Sequence, residues 1–389
     1  MLALVIGFSS VAASLATVTA RIDPARARQL NSHDGLITAA AAKQAFIVSS
    51  RSEPNSASAR LAELAVQQDP TAAEAVTVLA LQAQMRGEED QARRLFAYSL
   101  ALTRRELRPR LWAIEEAVAR GDIMAALRNY DIAMRTSDRA AELLSPILAS
   151  ALAEPKVRAE LIRILSTQPV WTREFIYFAA TRGDEPLAAM RFFLEGRRAN
   201  LPVYDTDAAS VINTLASTGF LDEAWELYSF LHPDAHPQHL RDPHFEFQTD
   251  VASSFDWVTT REPALFAAIS RDERGGLLDF SAPPGTGGVL VQQLQLLRPG
   301  TYQLLGRSAG IVQSERSRPY WQITCVGGIE VGRIPIPDSE QNDGLFRGFF
   351  SVPDGCEGQV LALVARPSDA VSGTTGQIKE IRLVPASST

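Results

Sequence analysis

Four of the five histidines lie close together and could in principle bind a metal ion. They are His232, His236, His239 and His244. Closely spaced histidines form a zinc site when a regular element presents them together, but prolines are interleaved with these four. Because proline breaks helices, the segment is typical of a linker, and we expect no metal site there.

No arrangement of bases or carboxylates predicts catalysis. The sequence contains no phosphate-loop motif, His-Glu-x-x-His motif or dinucleotide fingerprint. Asp279, Asp338 and Asp343 could supply a general acid and base, but no spacing selects them. Residues 285–288 are glycine-rich, but they lie between predicted strands. A glycine-rich phosphate site needs a helix directly after it, and none is predicted here. The sequence therefore predicts a protein that is not an enzyme and has no cofactor.

The small number of cysteines limits what they can form. Only Cys325 and Cys356 are present, which excludes a zinc site of four cysteines and a disulfide-rich scaffold. Both fall in the last quarter of the chain, so they could form a single structural disulfide in an oxidising compartment. Two buried free thiols are the alternative.

Aromatic, amide and carboxylate side chains in the last third of the chain could bind a carbohydrate. Sugar rings stack on exposed aromatic rings, and amides and carboxylates bind their hydroxyl groups. The candidate ligand-binding residues are Trp257, Tyr320, Trp321, Gln292, Gln322 and Asp256. Trp321 alternates with apolar Ile323, which favours a core role for its ring. Trp257 could equally lie in a core, whereas Tyr320 points away from Trp321.

The overall charge limits the possible partners. The 389 residues carry a net charge of −7, and the lysines and arginines are scattered among acidic residues. A nucleic-acid-binding protein needs a basic surface, so we expect no nucleic-acid partner. The length is enough for two or three domains.

The N-terminal residues 1–20 are uncharged and mostly apolar. A run of about 20 such residues can span a bilayer as a helix, and Val18-Thr19-Ala20 has the form of a cleavage site. The segment is therefore expected to be a signal anchor or a signal peptide. An anchor predicts an inner-membrane protein with its bulk in the periplasm; cleavage predicts secretion into the periplasm. A buried helix is the remaining alternative.

The composition changes near residue 240. The first 240 residues contain seven glycines, and the remaining 149 contain seventeen. Helix interiors exclude glycine, whereas strands joined by turns need it. We therefore expect helices over residues 21–231, a linker over 232–244 and a β-sandwich over 245–386.

The helical part contains an internal repeat of glycine, then alanine five residues later, then an aromatic residue four further on. The first two copies are offset by 34 residues and the last two by 36. Glycine would end one helix, alanine would allow close contact of the next, and the aromatic ring would fill the groove between them. The four copies are Gly87, Ala92, Phe96; Gly121, Ala126, Tyr130; Gly183, Ala188, Phe192; and Gly219, Ala224, Tyr228.

This pattern resembles the tetratricopeptide repeat, whose unit of about 34 residues is a helix–turn–helix. The copies are degenerate, because isoleucine replaces the usual small residue at Ile114, Ile176 and Ile212. The resemblance implies a helical solenoid that docks a protein partner. A bare spacer is the alternative.

The second part shows short runs with a period of two. Residues 289–296, 301–306, 320–326, 345–352, 359–365 and 378–384 read as strands. Such spacing predicts an antiparallel β-sandwich of the jelly-roll type.

Three segments of this part are similar to the galactose-binding-like sandwich of many carbohydrate-binding modules. They are the opening Asp242-Pro243-His244-Phe245-Glu246, the Pro299-Gly300-Thr301-Tyr302 hairpin and the closing residues 377–383. Phe255-Asp256-Trp257 and the two cysteines further resemble bacterial cell-envelope and exopolysaccharide-associated proteins. That resemblance implies a disulfide across the sandwich.

These observations lead to one functional hypothesis and one alternative. The chain is expected to be a non-enzymatic envelope scaffold, in which the repeats dock a protein and the sandwich binds polysaccharide during exopolysaccharide or cell-envelope assembly. The alternative is a purely protein-binding assembly factor whose sandwich binds no glycan.

Overall fold

The computed structural model describes residues 2–49, 56–247, 251–273 and 275–386, with side chains from Ser10 onward in the first helix. The chain forms two compact units, Met1–Phe175 and Ile176–Thr389. Helices precede strands, so the expected α-then-β architecture is confirmed. The boundary between the two units, after Phe175, precedes residue 240, where the composition changes. The reason is that the last helices belong to the same compact unit as the strands.

Fourteen helices occur in the described part of the chain. They are α1 (Leu2–Thr19), α2 (Pro24–Leu30), α3 (Gly35–Val48), α4 (Ala57–Gln68), α5 (Ala73–Met85), α6 (Glu89–Leu102), α7 (Leu107–Ala119), α8 (Ile123–Thr136), α9 (Asp138–Ala151), α10 (Pro155–Leu165), α11 (Thr172–Thr181), α12 (Pro186–Arg198), α13 (Asp205–Ser217) and α14 (Leu221–Leu231).

Three of the four repeated glycines end helices in a left-handed conformation, whereas Gly183 does not have a positive φ. Gly87, Gly121 and Gly219 have φ of 77°, 69° and 90°, and each follows the last turn of α5, α7 or α13. The next amide reaches back to close that turn, as Glu88 N does to Ala83 O at 3.0 Å. Glycine is favoured here because other residues are strained at positive φ.

The alanines and aromatic residues of the repeat are all buried. Phe96 on α6 stacks on Trp112 of α7 with ring centroids 4.9 Å apart. An alanine-rich cluster on α3, α4 and α5 allows close approach of those helices. These contacts establish paired helices, while the tetratricopeptide type remains a prediction.

The predicted inner-membrane localisation, with residues 1–20 as the anchor, is wrong. None of the helices in the described residues combines the length and the apolar character needed to span a bilayer. Ala16 is instead buried against Ala27 of α2 and Ile37 of α3.

Ten strands occur in the described residues of the second unit. They are β1 (Val258–Thr259), β2 (Phe266–Asp272), β3 (Gly275–Ala282), β4 (Gly288–Gln295), β5 (Gly300–Ala309), β6 (Tyr320–Cys325), β7 (Glu330–Pro335), β8 (Leu345–Val352), β9 (Gln359–Ala365) and β10 (Thr374–Pro385).

The strands form two antiparallel five-stranded sheets. The first sheet has the order β1-β4-β9-β6-β7, and the second has the order β2-β3-β10-β5-β8. Alternate residues of every long strand point inward, and side chains from both sheets form one buried cluster that includes Trp321, Leu304 and Ile381. The predicted β-sandwich is therefore present.

The two cysteines form a disulfide, as predicted. Cys325 ends β6, and Cys356 lies in the segment that leads into β9, with their Cα atoms 5.5 Å apart. Because β6 and β9 are neighbours in the first sheet, the bond joins adjacent strand regions of one sheet. The expectation of a bridge across the sandwich is in this respect wrong.

The Phe255-Asp256-Trp257 element attaches α14 to the sandwich within the second unit. Phe255 packs edge-on against Trp225 of α14 with centroids 5.1 Å apart. The Tyr228 hydroxyl donates to Asp256 Oδ1 at 2.8 Å. Burial, together with the Asp256 carboxylate, raises the pKa of Tyr228 well above its usual range, so this phenol stays protonated and able to donate.

Tyr228→Phe is expected to lower the free energy of unfolding by about 1–3 kcal/mol, because it leaves an oxygen of the half-buried Asp256 carboxylate without its Tyr228 donor. Urea denaturation followed by circular dichroism measures the change. Tyr98→Phe is the control, since the Tyr98 hydroxyl also donates one hydrogen bond, to the backbone carbonyl Pro70 O, but is exposed. Equal effects of the two substitutions would contradict the assigned role of Tyr228.

Candidate functional site

The two tryptophans among the predicted ligand-binding residues are buried. Trp257 is 5% exposed and Trp321 is fully buried. The Trp257 indole donates from Nε1 to Asp242 O at 2.9 Å, and its ring lies 5.8 Å from that of Trp321. Neither ring offers a face to a ligand in solution, so both act as core residues.

Asp256 is occupied by structural hydrogen bonds. One oxygen accepts from Tyr228, and the other accepts from Ser253 N at 3.0 Å and from Ser253 Oγ at 2.6 Å. Both oxygens therefore fix the chain entering the sandwich, and the carboxylate is not free to bind a sugar hydroxyl.

Tyr320 and Gln322 lie together on the outer face of the first sheet. The guanidinium carbons of Arg333 and Arg366 stand over the Tyr320 ring at 4.6 and 4.8 Å from its centroid. Gln322 Nε2 donates to Glu330 Oε2 at 2.6 Å, and Arg333 donates to both Glu330 oxygens. We name Tyr320, Gln322, Glu330, Arg333 and Arg366 the Tyr320 cluster.

Gln292 lies on the same face but apart from this cluster. It pairs with Ala362 of β9, which in turn pairs with Gln322 of β6. The strand spacing of about 4.8 Å therefore separates the two glutamine backbones by about 10 Å.

The polar groups of the Tyr320 cluster already have partners. The hydrogen-bond donors Arg333 and Gln322 lower the pKa of Glu330, and the guanidinium groups of Arg333 and Arg366 stand over the Tyr320 ring.

The outer face of the second sheet contains a groove of about 800 Å³. β5 runs along its floor, with Gln303 and Leu305 pointing outward. Residues from β7, β8, β10 and the β7–β8 connection complete its walls. We define the second-sheet groove by its lining residues, which are Gln303, Leu305, Gly306, Pro335, Pro337, Asn342, Leu345, Phe346, Arg347, Glu380 and Arg382.

The strand register arranges the groove in rows. Leu305 of β5 pairs with Arg382 of β10 on one side and with Arg347 of β8 on the other. Among the described residues, the side-chain amides of Gln303 and Asn342 have no hydrogen-bond partner. The groove thus combines an apolar floor with two amides, a carboxylate and two guanidinium groups.

These groove residues were not predicted from the sequence. The alternation of apolar and polar residues with a period of two identified β5, β8 and β10, and therefore which of their residues point outward. It could not show that the β7–β8 connection, with Pro337 and Asn342, closes over that face. No short-range signal in the sequence encodes that placement.

Residues 306–310 have the sequence Gly-x-Ser-x-Gly, which is the motif of a nucleophile elbow. The segment lies at the end of β5 and is followed by the short 3-10 helix Glu315–Ser317 but by no α-helix before β6, whereas a nucleophile elbow is a strand–turn–helix. The Ser308 hydroxyl is buried and hydrogen-bonds with Ser339 Oγ at 2.9 Å and Gly344 O at 3.2 Å. Ser308 therefore holds the segment before β8 against β5.

The clustered histidines pack as aromatic rings. His236 stacks on His239 at 4.4 Å, and His232 lies 4.6 Å from the Tyr228 ring. Over the described part of the chain, no three histidine, cysteine or carboxylate side chains converge as metal ligands. Burial lowers the pKa of His232.

No protein-family model and no curated protein matches this sequence. Several solved structures are similar to it at low identity. The enzymatically active domain of a bacteriophage CBA120 tailspike protein is 15% identical, with a TM-score of 0.28, over 39% of this chain and 22% of that one. The chain therefore spans about a fifth of that tailspike structure.

Two carbohydrate-binding modules match the sandwich. The module CsCBM6-3 from Clostridium stercorarium, solved with cellobiose, is 13% identical, with a TM-score of 0.22, over 34% of this chain and 95% of that one. The CBM22-1 xylan-binding domain of Paenibacillus barcinonensis Xyn10C is 9% identical, with a TM-score of 0.27, over 40% of this chain and 100% of that one.

Proposed function

We propose that this chain is a non-catalytic glycan-binding protein and that the second-sheet groove of its β-sandwich holds the polysaccharide. The observation that carries the proposal is the pair of unpartnered amides, Gln303 and Asn342, above the apolar floor of an 800 Å³ groove. This volume lies within the range of about 300–1,000 Å³ that is usual for ligand sites.

The groove suits a sugar because it offers both kinds of contact that a sugar ring needs. Sugar hydroxyl groups need donors and acceptors, and the side-chain amides of Gln303 and Asn342 provide both. The C–H faces of the ring need apolar surface, which Leu305 and Pro335 supply. Long open grooves also leave room for a polymer to continue beyond the bound residues.

The Tyr320 cluster is the second surface on which a glycan could bind. Its ring is covered by two guanidinium groups, so a stacking sugar would first have to displace one of them and lose a cation–π contact of about 0.5–1 kcal/mol. Its glutamine and carboxylate are already hydrogen-bonded to each other. The groove therefore has the more available donors.

Affinity electrophoresis of the oxidised full chain through gels containing bacterial exopolysaccharides tests the proposal. We expect retardation by at least one polymer, weakened about tenfold or more by the double substitution Gln303→Ala, Asn342→Ala, because two hydrogen bonds contribute about 1–3 kcal/mol. Tyr320→Ala is the matched control on the other sheet and should be retarded like the wild type. Loss of retardation in Tyr320→Ala alone would move the site to the first sheet, and no retardation by any polymer would refute glycan binding.

Protein docking by the first unit is a second candidate function. Leu143 and Ile147 are more than half exposed on α9, and their spacing of four residues places them on one helix face. Exposed apolar residues on one face are typical of a protein contact. A pull-down experiment that compares the wild type with the double variant Leu143→Ser, Ile147→Ser tests this role. An unchanged set of captured proteins would contradict it.

A further inference from the structure

The second-sheet groove carries more positive than negative charge. Of its lining residues, Arg347 and Arg382 are cationic and Glu380 is anionic, and Arg382 forms an ion pair with Glu380. Arg347 makes no ion pair with any carboxylate of the described residues. Arg307, on the next row of β5 between Glu380 and Leu345, adds a further cation at the rim.

This local charge is opposite in sign to the net charge of −7 of the whole chain. The closest sequence neighbour of opposite sign is Asp343, which follows Asn342 but does not line the groove. Glu380 is already engaged by Arg382, so of the two guanidinium groups that line the groove, Arg347 is the uncompensated one. An anionic group that enters the groove would therefore meet a free cation.

We propose that the groove selects polysaccharides with carboxylate groups, that is, uronate-containing polymers, and that Arg347 binds the carboxylate. The inference rests on the proposed glycan-binding function. A guanidinium binds a carboxylate through two parallel N–H donors, which gives orientation as well as charge. The two amides on the same surface then bind hydroxyl groups of the same sugar or of its neighbour.

The register fixes the position of the bound carboxylate within the groove. Arg347 and Arg382 flank Leu305 on opposite sides, so their backbones are separated by two strand spacings, about 10 Å. A sugar ring lying on Leu305 is in reach of Arg347 on the β8 side. On the β10 side it meets the Arg382–Glu380 pair, which is neutral overall and can bind hydroxyl groups.

The test compares acidic polymers with the same polymers after chemical reduction of their carboxyl groups. Polygalacturonate, alginate, glucuronoxylan and their carboxyl-reduced products are used in affinity electrophoresis with the oxidised full chain. We expect at least one acidic polymer to retard the chain about tenfold more strongly than its reduced product. Equal retardation by both members of every retarding pair would overturn the carboxylate proposal and leave glycan binding in place. No retardation by any of them would overturn both.

Arg347→Gln provides the second measurement, because it keeps donors but removes the charge. We expect it to weaken retardation by the acidic polymer about tenfold and to leave retardation by the reduced product unchanged. Arg271→Gln is the matched control, since Arg271 is exposed on β2 at the opposite edge of the same sheet. Equal losses in both variants would show a general charge effect and overturn the role of Arg347.

Discussion

Trp321→Ala is expected to lower the free energy of unfolding by about 3–5 kcal/mol, the usual cost of removing a buried aromatic side chain. Trp321 is fully buried between the two sheets, and its ring lies 5.8 Å from that of Trp257. Removing it leaves a cavity at the centre of the sandwich, where Ile323 and Leu363 are also buried. Urea denaturation followed by circular dichroism measures the loss.

The control for this prediction lies next to it in the sequence. Gln322→Ala changes an outward side chain of the same strand, so we expect a loss below about 1 kcal/mol. Trp321→Phe, which keeps most of the apolar volume, should cost less than Trp321→Ala. Unchanged stability of Trp321→Ala, together with lost glycan binding, would show that the ring is a ligand contact and contradict its place in the core.

Removing the disulfide is expected to have an effect of similar size. Cys325 and Cys356 are separated by 31 residues, and closing a loop of that length stabilises a domain by about 3–4 kcal/mol in the chain-entropy model. The double substitution Cys325→Ala, Cys356→Ala should therefore lower the free energy of unfolding by about that amount. The measurement is again urea denaturation, with the oxidised wild type as reference.

Reduction supplies the internal control for this second prediction. Dithiothreitol should destabilise the wild type by nearly the same amount and leave the double variant unchanged, since the variant has no bond to break. Gln359 Nε2 donates to Cys356 O at 2.6 Å, so the backbone around Cys356 keeps a partner in both proteins. A wild type whose stability does not respond to reduction would contradict a stabilising disulfide.

The sequence predicted those parts of the fold that depend on local patterns. Period two placed Trp321, Ile323 and Cys325 on one face of β6, and the structure buries all three. Three of the repeated glycines, Gly87, Gly121 and Gly219, marked helix ends because positive φ is a local requirement. The pairing of Cys325 with Cys356 needed no choice among partners, since no other cysteine is present.

Features that depend on contacts between distant residues were not predictable. An apolar run of 20 residues fits a membrane anchor and a buried helix equally well until a partner such as Ile37 is known. Trp257 fitted both a ligand site and a core until the Asp242 carbonyl was found beside its indole. The groove depends on where Asn342 folds back over β5, which is set by packing and not by spacing.

Isothermal titration calorimetry measures whether the second-sheet groove binds glycan. An oligosaccharide is prepared from a polymer that retards the chain in affinity electrophoresis. It is titrated into three oxidised full-length proteins: the wild type, the groove double variant with Gln303→Ala and Asn342→Ala, and the single variant Tyr320→Ala. We predict one binding site per chain, an affinity about tenfold or more weaker in the groove variant and an unchanged affinity in Tyr320→Ala. Wild-type affinity in the groove variant, with binding lost in Tyr320→Ala, would contradict the claim.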